Sequence, residues 1–156
     1  MFGIESADYQ MFLKPWIVFM RNNGYLSAFK HQFSDYSPLY LYYLCAIAYF
    51  KLNPLIWIKL LSVAFDFITA FYIRRIVLLK FPDKPRIADV SYFLALFIPT
   101  ILSNSALWGQ CDSIYSCFLL LTVFYLSSGK KVKALIFYGI AFSLKLQSIL
   151  DRKSVV

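Results

Sequence analysis

Four apolar runs, at about residues 55–79, 87–103, 113–127 and 132–150, leave this chain few folds to choose from. In a bilayer every backbone N–H and C=O must be satisfied within the chain, so runs long enough to enter hydrocarbon resolve as helices. The expectation is an all-α, polytopic transmembrane helical bundle. Composition agrees, since 60% of the 156 residues are hydrophobic and 20% aromatic, beyond the range of an ordinary soluble domain.

The net charge of +8 raises the question of nucleic acid. The basic residues do not form one face interleaved with stacking aromatics, so a nucleic-acid partner is not expected. They fall in clusters between apolar runs: Arg74, Arg75, Lys80, Lys84 and Arg86 after the first, and Lys130, Lys131 and Lys133 after the third. Loops rich in Lys and Arg stay in the cytoplasm. Threading the chain through both places residues 104–112 and all of residues 1–54 outside.

Residues 38–50 are apolar but too short to cross, which predicts an interfacial or re-entrant helix. Tyr36, Tyr40, Tyr42, Tyr43 and Tyr49, with Phe12, Trp16 and Phe19, suit the headgroup layer, where a ring is buried while its polar edge stays wet. The first ten residues, MFGIESADYQ, do not read as a cleavable signal. The expected organisation is an external loop over 1–54 with interfacial amphipathic helices, four spans over 55–150, and a tail, 151–156, that reads as non-native or truncated. The whole reads as an N-terminal fragment that lacks a leading span and later helices.

On this topology Asp8, His31, Asp35, Asn104, Gln110 and Asp112 share one external face, with Lys145 and Gln147 in the outer part of the last helix. A partly desolvated Asp8 suits a general base toward a hydroxyl, and equally an N-cap. Asp35 precedes Ser37-Pro38, a helix-opening pattern in which Asp or Ser caps. Trp108, Gly109 and Gln110 offer a stacking surface, a close backbone approach and an amide, next to Asp112, which suits either a sugar contact or a helix start. Asp66 lies mid-span with Lys59 two turns earlier, an interior position that marks a structural contact or a pathway. Lys145 suits an anionic headgroup or a snorkelling cation.

His31 is the single histidine, and Cys45, Cys111 and Cys117 form neither a CxxC nor a His-partnered set, so no zinc site or disulfide framework is expected. Phosphate-loop, HExxH and GxSxG motifs do not occur. No cofactor is expected, and a divalent metal has no support in the motifs. Chemistry, if present, rests on carboxylates.

An acid near the start, then Phe33-Ser-Asp-Tyr-Ser-Pro-Leu-Tyr40, then Asn104-Ser-Ala-Leu-Trp-Gly-Gln-Cys-Asp-Ser-Ile-Tyr115, resembles the integral-membrane glycosyltransferases of the GT-C class. The nearest branch is the mannosyltransferase-like one, related to GPI-anchor mannosyltransferases and dolichyl-phosphate-mannose protein mannosyltransferases. The resemblance implies a GT-C-like fold with external juxtamembrane helices in the plasma membrane. It implies transfer of a hexose such as mannose from a polyprenyl-phosphate donor to a glycan, lipid or protein acceptor hydroxyl on the extracytoplasmic face. By the same resemblance Asp8 is the catalytic base, Lys145 and Gln147 lie near the donor phosphate, and Asp35, Asn104, Trp108, Gln110 and Asp112 contact sugar or acceptor. Two other readings stay open: a transporter or flippase module working through Asp66 and Lys145, and a non-catalytic membrane subunit.

Overall fold

Prolines decide where the helices begin. Pyrrolidine presets a helical φ and lacks the N–H that the first turn cannot satisfy anyway, and four helices open on it: α2 (Pro38–Tyr49), α3 (Pro54–Lys80), α4 (Pro85–Leu96) and α5 (Pro99–Leu102). The computed structural model describes residues 3–34, 36–109 and 111–145, and among them no strand occurs. The N-terminal helix α1 (Lys14–Asn22) follows a π-helical turn, Tyr9–Leu13. The chain then reverses through Gly24 at φ 73° into a 3₁₀ stretch, Tyr25–Lys30. A second π-helical turn, Ser103–Trp108, continues α5, and α6 (Asp112–Ser127) and α7 (Lys131–Lys145) complete the order.

Two kinds of packing follow. In α1 the spacing Leu13, Trp16, Ile17, Met20 puts one apolar stripe on one face, and it is buried against Leu41, Leu44, Cys45 and Ala48 of α2 and Ile58 of α3. This N-terminal cap holds the main buried core. The helices α3, α4, α6 and α7 pack side by side but leave large apolar residues outward, among them Phe67, Phe93, Leu94, Leu126, Leu135 and Phe142. The most apolar stretch of α3 is only 22% buried by the rest of the chain. A core helix of a water-soluble domain buries most of such a surface, whereas large apolar residues left exposed on it mark a surface suited to something apolar.

The spans need correction. Among the described residues one helix, the 27-residue α3, is long and apolar enough to cross a membrane, as expected for residues 55–79. The run 87–103 is not one straight span: α4 stops at Leu96, Ile98 is extended, and the axis bends by 44° into the segment Pro99–Trp108. Pro99 causes the break, because it offers no N–H to the preceding turn and forces the residue before it out of helical backbone. Counted as one bent span, this pair brings the crossings to two. Helix α6 has 16 residues, roughly 24 Å of rise against a hydrocarbon thickness of about 30 Å. Residues 146–150 of the fourth run, and the tail 151–156, lie outside the described residues.

The two basic clusters do lie at one end of the helices. The Arg75 guanidinium sits over Phe124, 5.6 Å from its centroid, and Lys133 over Tyr125 at 5.7 Å, joining α3, α6 and α7 there. Arg74 Nε donates to Asp89 Oδ1 at 2.7 Å and clasps α3 to α4. The opposite end carries the N-terminal cap, the 103–108 turn and the start of α6. The short α2, read as interfacial, is half sunk into that cap.

Leu44 is fully buried and Phe93 is 58% exposed, so truncating them should separate protein packing from lipid contact. In thermal melts in detergent, Leu44→Ala should cost about 2–5 kcal/mol, and Phe93→Ala about 0.5 kcal/mol or less. Equal losses would show that Phe93 packs against protein.

Candidate functional site

The site forms where the N-terminal segment docks onto the turn before α6. Ser6 does the docking: its hydroxyl donates to the Trp108 carbonyl at 2.9 Å and accepts from Tyr9 N at 3.2 Å. Ser6 is thus the side-chain cap of the first helical turn. Asp8, expected either as base or as cap, makes no capping hydrogen bond and has helical backbone at φ −61°, ψ −39°. A serine three residues ahead of Tyr9 is the pattern that identifies the true cap in the sequence.

Beneath this contact Lys59 is fully buried, and its Nζ donates to the Ile4 carbonyl at 2.7 Å. Gly109 closes over its stem, with φ 64° and an ideal Cβ position only 3.2 Å from Lys59 Cγ. The left-handed backbone and the tight approach both call for glycine here. Lys59 and Asp66, seven residues apart on α3, therefore serve different levels, one under the cap and the other deeper in the helices.

Asp66 opens onto a cavity of about 520 Å³. Thr69 joins it from α3, Pro99, Thr100 and Ile101 from the bent segment, Ser103, Asn104 and Trp108 from the π-helical turn, and Asp112, Ser113 and Ser116 from α6. Asn104, Trp108 and Asp112, three of the residues expected at the site, thus share one wall-to-wall space. The Trp108 indole is half exposed. Asp112 is the first residue of α6 and Cys111 takes the capping position, so the carboxylate meets the positive end of the helix as a first-turn acid. The Ser113 hydroxyl is buried on the cavity wall without a hydrogen bond. The buried Ser105 hydroxyl lies beside the Asp66 carboxyl, likewise without a bond of ordinary geometry. These hydroxyls and Asp66 extend the polar surface into the helices.

Asp8 is half-buried and stands off the cavity wall. It is linked to Asp112 through Tyr36, whose phenol feels both. Burial pushes Tyr36 well above the ordinary tyrosine range, and the Cys111 thiol, which hydrogen-bonds it, then Asp112 and Asp8 push it further. Tyr36 is therefore a neutral donor at any physiological pH. Its ring packs on Trp16 at 5.2 Å and Tyr40 at 5.6 Å, and burial raises Tyr40 as well. Nothing in the sequence pattern singled out Tyr36 beyond an interfacial ring.

Helix α2 opens at Pro38 as expected, but Ser37 in the capping position makes no side-chain bond and its hydroxyl is buried without a partner. His31 is exposed and packs edge-on against Phe19 at 6.3 Å. Asp35, Gln110 and Gln147, and the side chain of Lys145, lie outside what the structure describes. Among the described residues no cluster of three or more His, Cys, Asp or Glu could hold a metal ion.

Two outcomes follow. Gly109→Ala should destabilise by about 1–2 kcal/mol from the left-handed backbone alone, with the Lys59 contact adding to it, read as a lower melting temperature; an unchanged melt would mean that the turn does not close on Lys59. Tyr43, whose hydroxyl donates to the Trp57 carbonyl at 2.6 Å, is raised by burial to about 12. A raised folded-state value means stability that is complete below the unfolded tyrosine value near 10 and lost as pH climbs through 12. Denaturant midpoints should therefore fall between those limits, and less steeply in Tyr43→Phe.

Comparison with protein families, with curated proteins and with solved structures finds no match for this chain.

Proposed function

We propose that this chain forms the sugar-binding part of an integral-membrane glycosyltransferase that uses a polyprenyl-phosphate donor on the extracytoplasmic side. The observation that carries the reading is the shared cavity: an indole face, an amide and a carboxylate from Trp108, Asn104 and Asp112 line about 520 Å³ at the capped end of the helices. That volume suits a hexose, and the three groups supply the stacking and hydroxyl contacts a sugar requires.

In the proposed reaction the acceptor hydroxyl oxygen attacks the anomeric carbon from the face opposite the phosphate. The bond from that carbon to the phosphate oxygen breaks, the lipid phosphate leaves with the electron pair, and the hydroxyl proton passes to Asp8. A phosphate is already a competent leaving group, so one base and fixed dipoles suffice. Tyr36, whose titration burial and both Asp112 and Asp8 push up, stays neutral and does not compete for the proton. Lys145 and Gln147 complete the proposal on the phosphate side by resemblance alone.

A second reading has its own support. Asp66 lines the same cavity halfway along the one long span, the position of an acid in a transport pathway. The two readings make opposite demands. Saturable quenching of tryptophan fluorescence by polyprenyl-phosphate mannose, abolished in Trp108→Phe and weakened about 10-fold in Asp112→Asn, fits a hydrogen-bonded sugar site. In membranes carrying the whole enzyme to which this chain would belong, Asp8→Asn should keep that binding while sugar transfer falls by about 10²–10⁴; the chain by itself is expected to bind but not to transfer. Full transfer in Asp8→Asn, or loss of function in Asp66→Asn alone, would favour transport.

A further inference from the structure

We propose that the opposite, basic end of the helices seats the phosphodiester headgroup of an anionic glycerophospholipid between Arg75 of α3 and Lys133 of α7. The two cations are held over consecutive rings of the last turn of α6, Arg75 over Phe124 at 5.6 Å and Lys133 over Tyr125 at 5.7 Å. Tyr72 of α3 packs on both of these rings, with centroids 5.1 Å from Phe124 and 6.4 Å from Tyr125. Three helices thus contribute two cations and two phenols to one small area, a donor set that matches phosphate oxygens.

The charges there lack an internal counterion. Arg74 is paired with Asp89, but among the described residues no carboxylate pairs with Arg75, Lys130, Lys131 or Lys133. Three of these lysines crowd the start of α7, whose first turn holds no acid, and they add to the positive end of its dipole rather than opposing it. An anion at this place relieves both the like-charge repulsion and the dipole.

The surroundings select a lipid over a soluble anion. Phe71 of α3 and Val132, Leu135 and Ile136 of α7, on the same helices as the two cations, are exposed, Val132 at 73% and Leu135 at 70%, and offer an apolar surface for acyl chains. The seat lies at the far end of the helices from the sugar cavity and shares no residue with it, so the proposal stands or falls independently of the transferase reading.

Native mass spectrometry of the purified protein, titrated with phosphatidylglycerol and with phosphatidylcholine, tests it. Phosphatidylglycerol adducts should predominate, and Arg75→Gln and Lys133→Gln should each weaken them about 5-fold, as expected for one cation at an anionic headgroup. Arg75→Lys, which keeps the charge but not the fork, should lose less, and an unchanged melting temperature confirms that the variants fold. Lys84→Gln, outside the seat, should leave the adducts unchanged. Equal adducts from the two lipids, a loss in Lys84→Gln as large as in Arg75→Gln, or full displacement by inorganic phosphate would each overturn the proposal: the first removes charge selectivity, the second makes the attraction diffuse, and the third makes the ligand a soluble anion.

Discussion

The architecture turns on a buried lysine. Removing an ammonium from water costs several kcal/mol unless its protons meet acceptors, and Lys59 meets the Ile4 carbonyl at 2.7 Å with Gly109 closed over its stem. That one side chain ties the start of the long helix to the N-terminal segment and to the turn before α6. Ser6 and the Trp108 carbonyl add a second tie across the same gap. Segments more than a hundred residues apart are thereby fixed on each other, and the charges of Asp8 and Asp112 come to act on the same phenol, that of Tyr36.

Around this junction the chain divides its apolar residues between two solvents. The cap, built from α1, α2 and the first turns of α3, turns its leucines and aromatics inward and makes a conventional core. The helices beyond it turn many of theirs outward, so that part of their apolar content does not serve internal packing. The polar residues Asp66, Thr69, Ser113 and Ser116 line the cavity between those helices, and of the four Ser113 is buried.

Much of this was legible in the residues. The 3.6-residue spacing of Leu13, Trp16, Ile17 and Met20, the helix-opening prolines and the uninterrupted run behind α3 each act locally, so the sequence carries them openly. The grouping of Asn104, Trp108 and Asp112 was legible as well, because they lie within one turn and the following helix start. Pro99 was an available signal whose effect was underrated: hydrophobicity alone joins residues 87–103, and the missing N–H divides them. The capping role went to Ser6 instead of Asp8 because Trp108, distant in the chain, also demands the serine hydroxyl. The burial of Lys59 and the position of Tyr36 between two acids depend on contacts across the whole chain length, and no local pattern encodes those.

The bend at Pro99 has a mechanical meaning for the cavity. Pro99, Thr100 and Ile101 form one wall of it, and they lie just beyond the point where the backbone ladder is interrupted. A wall mounted on such a break has little backbone hydrogen bonding to lose if it shifts. The opposite walls, on α3 and α6, are uninterrupted helix. A change in the width of the cavity would therefore cost least at the Pro99 side, where the chain has the fewest helical hydrogen bonds to give up.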